Sequence, residues 1–175
     1  MIILSPVTTE KDKKFLKRFY EEAFPLNERM SLDFYYDKER ATAEKYLICS
    51  DEEPVGFIIL LSAGKLTNIM YFAISSNKRN KGLGSQVLSE IKELKKDKIL
   101  TIDIEAPIKE ADNYLQRQRR VNFYLRNGFN DTDLSYRWQG ELYKTYSYNG
   151  EITDEDVDNF WSTAFSRPFE AKKTL

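Results

Sequence analysis

Residues 71–88 read Tyr71-Phe72-Ala73-Ile74-Ser75-Ser76-Asn77-Lys78-Arg79-Asn80-Lys81-Gly82-Leu83-Gly84-Ser85-Gln86-Val87-Leu88, which is the pattern of a strand, a polar basic loop and the start of a helix. The first turn of a helix carries backbone N–H groups without helical partners and a partial positive charge, so it attracts anions. Gly82 and Gly84 keep side chains away from that backbone, and Arg79 and Lys81 add positive charge beside it. The stretch therefore predicts a site for a phosphate or pyrophosphate.

Three other interpretations of this loop can be weighed on the sequence. A tight turn that only begins a helix explains the two glycines without any ligand. A P-loop needs four residues between its glycines and then Lys-Ser or Lys-Thr, which Gly82-Leu83-Gly84-Ser85 does not provide. A dinucleotide fingerprint needs a third glycine where Val87 stands, although Asp103 lies at about the right distance to hold a ribose. The pattern that remains is Arg-x-x-Gly-x-Gly.

Length and composition predict one soluble domain over residues 1–175. The chain is 41% hydrophobic and 31% charged, and its formal net charge of -1 argues against bulk affinity for nucleic acid or membranes. No apolar run approaches the length of a membrane span, and the apolar start Met1–Leu4 stops at Ser5-Pro6, unlike a signal peptide. These features predict a cytoplasmic protein.

The residue types present limit the chemistry. Cys49 is the single cysteine, and the chain has no histidine. Serine–histidine and cysteine–histidine nucleophiles are therefore excluded, as is any zinc site with histidine ligands, and we expect no metal. A reaction would have to use carboxylates, tyrosine, lysine, backbone dipoles or water.

Apolar spacing and turn residues predict the element order β-α-α-β-β-β-α-β-α-β-β, an α+β fold with a mixed, mostly antiparallel sheet. The strand at 66–74 connects through a helix to the strand at 99–106, so these two should be parallel. The other predicted strands lie at 2–4, 45–50, 55–63, 129–136 and 141–148. The predicted helices run from Thr8 or Thr9 to Ala23, after Ser31, from about Gly82 into the basic run Lys95–Lys98, over 111–127, and from about Thr153 to Phe165.

Two sequence blocks carry a resemblance to a known family. Arg79 to Gly84 resembles the acetyl-coenzyme A signature of the GNAT superfamily of N-acetyltransferases. Downstream, Asn122-Phe123-Tyr124-Leu125-Arg126-Asn127-Gly128-Phe129 is close to that family's Phe-Tyr-x-x-x-Gly-Phe block. The resemblance is clear over about residues 55–148. It implies the GNAT fold, in which a mixed central sheet with one β-α-β parallel crossover is flanked by helices.

The resemblance also implies an activity and a cofactor. A member of this family transfers an acetyl group from acetyl-CoA to a primary amine by direct attack in a ternary complex. The residues that would bind the coenzyme, carried over position by position, are Phe72, Ala73, Ile74, Arg79, Asn80, Lys81, Gly82, Leu83, Gly84, Ser85, Phe123 and Arg126.

Candidate catalytic residues follow from the same comparison. Tyr124 stands where the family has a tyrosine that protonates the departing thiolate, and a phenol is protonated at neutral pH. Many relatives carry a glutamate on the central strand, where this chain has Asn68, Met70 and Tyr71. Glu105, near the end of its strand, and Glu28 are therefore the candidate bases. Glu105 could equally bind a cationic acceptor, or a chain of waters could remove the proton.

The acceptor and the assembly are less determined. Glu28 belongs to the segment Phe24–Arg29, which in relatives borders the acceptor site and in this chain has a surface connection as its alternative interpretation. Acidic residues point to a cationic small-molecule or peptide amine such as a polyamine, aminoglycoside or lysine. A homodimer stays open because the aromatic C-terminal segment offers a surface for a second copy. A non-catalytic acyl-CoA-binding or regulatory module of the same fold is the alternative function, since no base is evident.

Overall fold

The computed structural model describes residues 2–37, 42–165 and 172–173. The chain forms two compact units, the first comprising residues 1–61 and 69–94 and the second residues 62–68 and 95–175. Each unit is described separately below. The assignment of residues 1–175 to one domain stays a prediction.

The first unit contains one run of neighbouring strands and two long helices. In its sheet the strand order is β1-β2-β3-β4, and β1 pairs with β2 in antiparallel register from Ile2 opposite Ser50 to Pro6 opposite Tyr46. Strands β3 and β4 each extend a few residues into the second unit. The elements are β1 (Ile2–Pro6), α1 (Glu10–Ala23), β2 (Thr42–Ser50), β3 (Glu53–Ala63), β4 (Leu66–Ile74) and α2 (Leu83–Leu94).

Helix α1 shows how the sequence sets these boundaries. The Thr9 hydroxyl accepts a hydrogen bond from the Asp12 amide, and the Asp12 carboxylate accepts one from the Thr9 amide, a capping box that begins the helix. The helix ends at Phe24 because a residue that precedes proline disfavours helical geometry. Its inner face buries Leu16, Phe19 and Tyr20 in the core of the first unit.

The second unit is built on a mixed, mostly antiparallel sheet that begins from the start of β4. Residues Leu66–Asn68 of β4 pair in parallel with Ile99–Thr101, which confirms the predicted parallel pair. From β4 the strand order continues β5-β7-β6-β8, and the pairs β5–β7, β7–β6 and β6–β8 are antiparallel. The elements are β5 (Ile99–Glu105), α3 (Tyr114–Arg126), β6 (Asn130–Trp138), β7 (Glu141–Tyr148), α4 (Asp154–Phe165) and β8 (Lys172–Lys173).

The α+β class and the mixed sheet are confirmed, and three local expectations change. Strand β6 runs to Trp138 because the hairpin turn consists only of Gln139 and Gly140, whose φ angles are 48° and 86°. Helical spacing places Leu94 on the same side of α2 as Val87 and Ile91, yet Leu94 is 50% exposed while those two are buried. The helix predicted after Ser31 is a 3-10 helix of five residues.

Candidate active site

The loop between β4 and α2 has a defined backbone path. Residues Ser76–Lys78 form a single 3-10 turn, after which Asn80 and Gly82 adopt φ angles of 61° and 77°. Asparagine tolerates this left-handed geometry, and glycine adopts it without a steric cost. The loop is fastened to β4 because Arg79 Nε donates a hydrogen bond to the Ile74 carbonyl at 2.7 Å.

The first backbone amides of helix α2 have no hydrogen-bond partner within the helix. The Gly82 carbonyl accepts from the amides of Ser85 at 3.1 Å and Gln86 at 3.2 Å. The amides of Leu83 and Gly84 therefore precede the first hydrogen bond of the helix. A Cβ at Gly82 would meet no atom within 4 Å, so the space beside this turn is open. The arrangement has the features of an anion site at a helix N-terminus.

The end of β4 depends on a glycine that sequence reasoning missed. A Cβ at Gly56 would lie 2.2 Å from the Ala73 carbonyl oxygen and 3.0 Å from Ile74 Cα, so no other residue fits there. The Ser75 amide continues the contact by donating to the Val55 carbonyl at 2.8 Å. An isolated glycine inside a predicted strand was the available signal, since it often marks such an approach.

The segment that follows α1 is tied to β4 by tyrosine hydroxyls. Tyr71 donates to the Glu28 carbonyl at 2.9 Å and accepts from the Met30 amide at 3.2 Å. Tyr20 donates to the Met30 carbonyl and accepts from the Met30 amide, both at 2.9 Å. The Tyr20 and Tyr71 rings meet edge to face at 4.8 Å. The structure thus brings the Glu28 backbone next to the strand that leads to Phe72.

Arg29 lies in the same segment. Its Nε atom is buried and forms no hydrogen bond with any residue that the structure describes. In the part of the chain that the structure describes, no carboxylate forms an ion pair with its guanidinium. Burial raises the pKa of the neighbouring Tyr20 phenol, and the Arg29 charge opposes that rise.

In the second unit, Tyr124 lies on α3 between two aromatic rings. It packs edge to face on Phe123 at 5.0 Å and on Phe129 at 5.3 Å, and its side chain is buried. Burial raises the pKa of Tyr124 above its ordinary value, and Arg120 opposes the rise. The phenol is therefore protonated at neutral pH. Within residues 2–37, 42–165 and 172–173, no protein group forms a hydrogen bond with its hydroxyl.

The remaining family residues of α3 form a small cation–π contact. The guanidinium of Arg126 lies 5.2 Å from the centre of the Phe123 ring. Both residues belong to the second unit, together with Tyr124 and Glu105. The strand end Phe72–Ile74 and the loop Arg79–Ser85 belong to the first unit.

Glu105 is buried among arginines of α3. One carboxylate oxygen lies 3.4 Å from Arg117 Nη2, and the other lies 3.3 Å from Arg120 Nη1. Arg117 also donates to the Ala106 carbonyl, to Asn113 Oδ1 and to Glu141. Both oxygens of Glu105 are thus occupied by ion pairs.

A second buried carboxylate, Asp103, has hydrogen-bond partners on neighbouring strands. Its oxygens accept from Thr145 Oγ1 at 2.6 Å and from Asn68 Nδ2 at 3.0 Å. Burial raises the pKa of Asp103, while its hydrogen bonds with Thr145, Asn68 and Tyr136 act in the opposite direction. This polar cluster is satisfied internally.

The described residues contain neither a metal-binding cluster nor a membrane-spanning helix. No cluster of three or more histidine, cysteine, aspartate or glutamate side chains within them could hold a metal ion. None of their helices combines the length and the apolar character that crossing a bilayer requires.

Comparison with known proteins identifies what this arrangement resembles. The family model described as an acetyltransferase (GNAT) domain matches residues 42–131, a range that contains β4, the loop, α2, Glu105 and Tyr124. No curated protein sequence matches the chain.

Solved structures share the fold. A GNAT-family protein from Bacteroides thetaiotaomicron has a TM-score of 0.71 and 23% identity, over 89% of this chain and 91% of that one. A GNAT family acetyltransferase from Elizabethkingia anophelis with acetyl-CoA bound has a TM-score of 0.58 and 20% identity, over 86% and 98%. Arabidopsis thaliana Naa50, in complex with the bisubstrate analogue CoA-Ac-MVNAL, has a TM-score of 0.63 and 18% identity, over 85% and 99%.

Proposed function

The chain belongs to the GNAT acetyltransferase family, and from this we propose that it transfers an acetyl group from acetyl-CoA to a primary amine by direct attack in a ternary complex. The observation that carries the proposal is the loop Arg79–Ser85, where helical amides and an open turn at Gly82 offer a pyrophosphate site. The complexes of the Elizabethkingia and Arabidopsis relatives support the choice of coenzyme and of an amine acceptor.

Coenzyme binding is assigned mainly to the first unit. The amides of Leu83 and Gly84 would donate to the pyrophosphate, and the exposed Lys81 would add a charge. The strand end Phe72–Ile74 would hydrogen-bond the pantetheine arm through its backbone, and its position is fixed by the close approach to Gly56. In the loop, Arg79, Asn80 and Ser85 complete the site. Phe123 and Arg126 of the second unit are assigned to the coenzyme by family position.

The reaction balances without a covalent enzyme intermediate. The neutral amine attacks the thioester carbonyl, a C–N bond forms and the C–S bond breaks. The thiolate takes a proton from a general acid, and the amine nitrogen gives one up to a base or to water. We assign the acid to Tyr124, because its phenol keeps its proton at neutral pH and its hydroxyl has no protein partner among the described residues.

The base stays a prediction, with Glu105 and Glu28 as its candidates. Glu105 would have to give up an ion pair with Arg117 or Arg120 to accept a proton. Glu28 lies in the segment fastened to Tyr71. The pH–rate profiles of Glu105→Gln and Glu28→Gln separate these roles, since the variant that lacks the base loses the acidic limb of the profile. If the acidic limb persists in both variants, water removes the proton.

Calorimetry and a thiol-release assay test the proposed function together. We expect the purified chain to bind acetyl-CoA and to release free coenzyme thiol when a panel of primary amines is added. Binding without thiol release from any amine would favour the non-catalytic acyl-CoA module. Absence of acetyl-CoA binding would overturn the proposal.

A further inference from the structure

We propose that Arg29 binds a carboxylate of the acceptor, so that the substrate is an amine that also carries a carboxylate group. The inference rests on the proposed function, because it names the class of acceptor for that reaction. It differs from the polyamine-like acceptor that acidic residues in the sequence favoured.

The guanidinium of Arg29 is in an unfavourable environment in the free protein. Its Nε donor is buried without a hydrogen bond, and the described residues provide no carboxylate for its charge. A buried donor without a partner is unfavourable, and more so when it is charged. Because Nε itself is closed to solvent, a ligand carboxylate would bind the outer Nη groups of the guanidinium through two parallel hydrogen bonds and supply the counter-charge that the described residues do not provide.

Hydrogen bonds hold the main chain of Arg29 and its neighbours in place. The Arg29 amide donates to the Leu26 carbonyl at 3.3 Å. On either side, the Glu28 carbonyl and the Met30 amide are bonded to tyrosine hydroxyls. A charge fixed in this way loses little conformational entropy when a ligand binds. The rings of Tyr20 and Phe24 pack on Tyr71 and make the surroundings apolar, which strengthens an ion pair.

Tyr71 links the segment of Arg29 to β4, the strand assigned to the coenzyme. Tyr71, which bonds the residues flanking Arg29, is two positions before Ala73 on β4. Residues two apart on a strand share a face and lie roughly 7 Å apart. The segment that carries Arg29 is thus fastened to the face of β4 that also carries Ala73, next to the strand end assigned to the acetyl group.

A phosphate of the coenzyme is the other anion that a guanidinium could bind. The pyrophosphate has its own proposed site at the loop Arg79–Ser85, on the far side of Ile74 along the chain from Tyr71. This order along the chain favours the acceptor over the coenzyme as the ligand of Arg29, and the two ligands are tested separately.

The test uses product analogues, so that it needs no turnover. The full chain saturated with coenzyme A would be titrated with a panel of N-acetyl amino acids and, in parallel, with their carboxamides. We expect at least one acid to bind about tenfold more tightly than its amide. Arg29→Met should abolish this preference, and Arg29→Lys should retain part of it. Arg18→Met, on the exposed side of α1, is the matched control and should leave the preference unchanged.

Two further measurements distinguish the ways in which the inference could fail. The affinity of Arg29→Met for acetyl-CoA should stay within about twofold of the wild type, and its melting temperature should be equal or higher, because an unsatisfied buried donor has been removed. Weaker coenzyme binding would assign Arg29 to the coenzyme, and a lower melting temperature would make it structural. Equal binding of acids and amides by the wild type would also overturn the inference. Failure of the wild type to bind acetyl-CoA would instead overturn the proposed function.

Discussion

Arg29 of the first unit and Arg117 of the second are both buried in part or in full, yet their surroundings differ. Arg117 is 5% exposed and bonds to Asn113, to the Ala106 carbonyl and to two carboxylates. Arg29 has a buried Nε without a hydrogen bond and no ion pair within the described residues. The same side chain therefore serves the fold in the second unit and is assigned to a ligand in the first.

The contrast extends to other polar groups of the two units. In the second unit Glu105 and Asp103 have their oxygens occupied by protein donors. In the first unit the α2 amides after Gly82 precede any helical hydrogen bond. Tyr124 is the exception, because it belongs to the second unit and its hydroxyl lacks a partner among the described residues. Arg29 and Tyr124, whose side-chain polar groups lack a partner among the described residues, are thus both assigned to ligands, whereas the paired Arg117 and Asp103 are assigned to the fold.

The largest effect is expected from Arg117→Met. The substitution leaves the buried Glu105 with one of its two ion pairs, and removing a partner from a buried pair typically costs about 3–5 kcal/mol. The free energy of unfolding, measured with urea, should fall by about that amount. Arg137→Met, on the exposed face of β6, is the control and should change stability by less than about 0.5 kcal/mol. A stable Arg117→Met protein would remove the distinction between the two arginines.

Tyr124→Phe should act on the rate and not on the fold. Without the phenol proton the thiolate leaves unassisted, and we expect a loss of about 10- to 1,000-fold, at the low end of general-acid effects. We expect kcat to fall by that factor while the acetyl-CoA dissociation constant stays unchanged. Tyr146→Phe is the control, because burial also raises the pKa of Tyr146, to about 12, and no role in the reaction is assigned to it. An unchanged kcat in Tyr124→Phe would withdraw its assignment as the acid.

The sequence predicted most of the fold because local signals were strong. Thr9 and Asp12 form the capping box, Gln139-Gly140 form the hairpin turn, and the strand at 66–74 has the predicted bounds. Leu94 shares the apolar side of α2 by spacing but is exposed, because helical periodicity alone does not say where a helix leaves the core. The left-handed geometry of Gly82 agrees with the two-glycine signal in the loop.

The site was less accessible to sequence reasoning, since it depends on which groups lack partners. Nothing in Phe24–Arg29 distinguishes a paired arginine from an unpaired one. Glu105 stands out in the sequence as a carboxylate near the end of its strand, and its ion pairs with Arg117 and Arg120 arise only when α3 packs on β5. Gly56 required knowledge of the Ala73 carbonyl that approaches it. Pairing across distant elements is set by tertiary packing and has no local signature.

Substitution of glycines separates backbone strain from ligand contact. Gly82 and Gly140 have φ angles of 77° and 86°, and a Cβ at either would meet nothing within 4 Å. Leucine at either position should cost about 1–2 kcal/mol of stability through the left-handed backbone. Only Gly82→Leu should also weaken acetyl-CoA binding, by at least about tenfold, because its side chain would cover the α2 amides. Equal affinities of Gly82→Leu and Gly140→Leu in calorimetry would contradict the anion site.

The smallest effect concerns Asp103, whose pKa is raised in the folded state mainly by burial. Between its unfolded value of about 3.9 and the raised folded value, the folded chain binds more protons than the unfolded chain, so stability falls as the pH rises through this window. Comparison of the wild type with Asp103→Asn by urea unfolding from pH 4 to pH 8 should show a wild-type disadvantage that grows with pH and then levels off. Asp156 gives the opposite sign, because its hydrogen bond with Lys65 lowers its pKa, and the stability it adds is lost as the pH falls through that lowered value, so its series extends below pH 4. If Asp103→Asn and Asp156→Asn showed slopes of the same sign, the hydrogen bonds of Asp103 would lower its pKa by more than burial raises it.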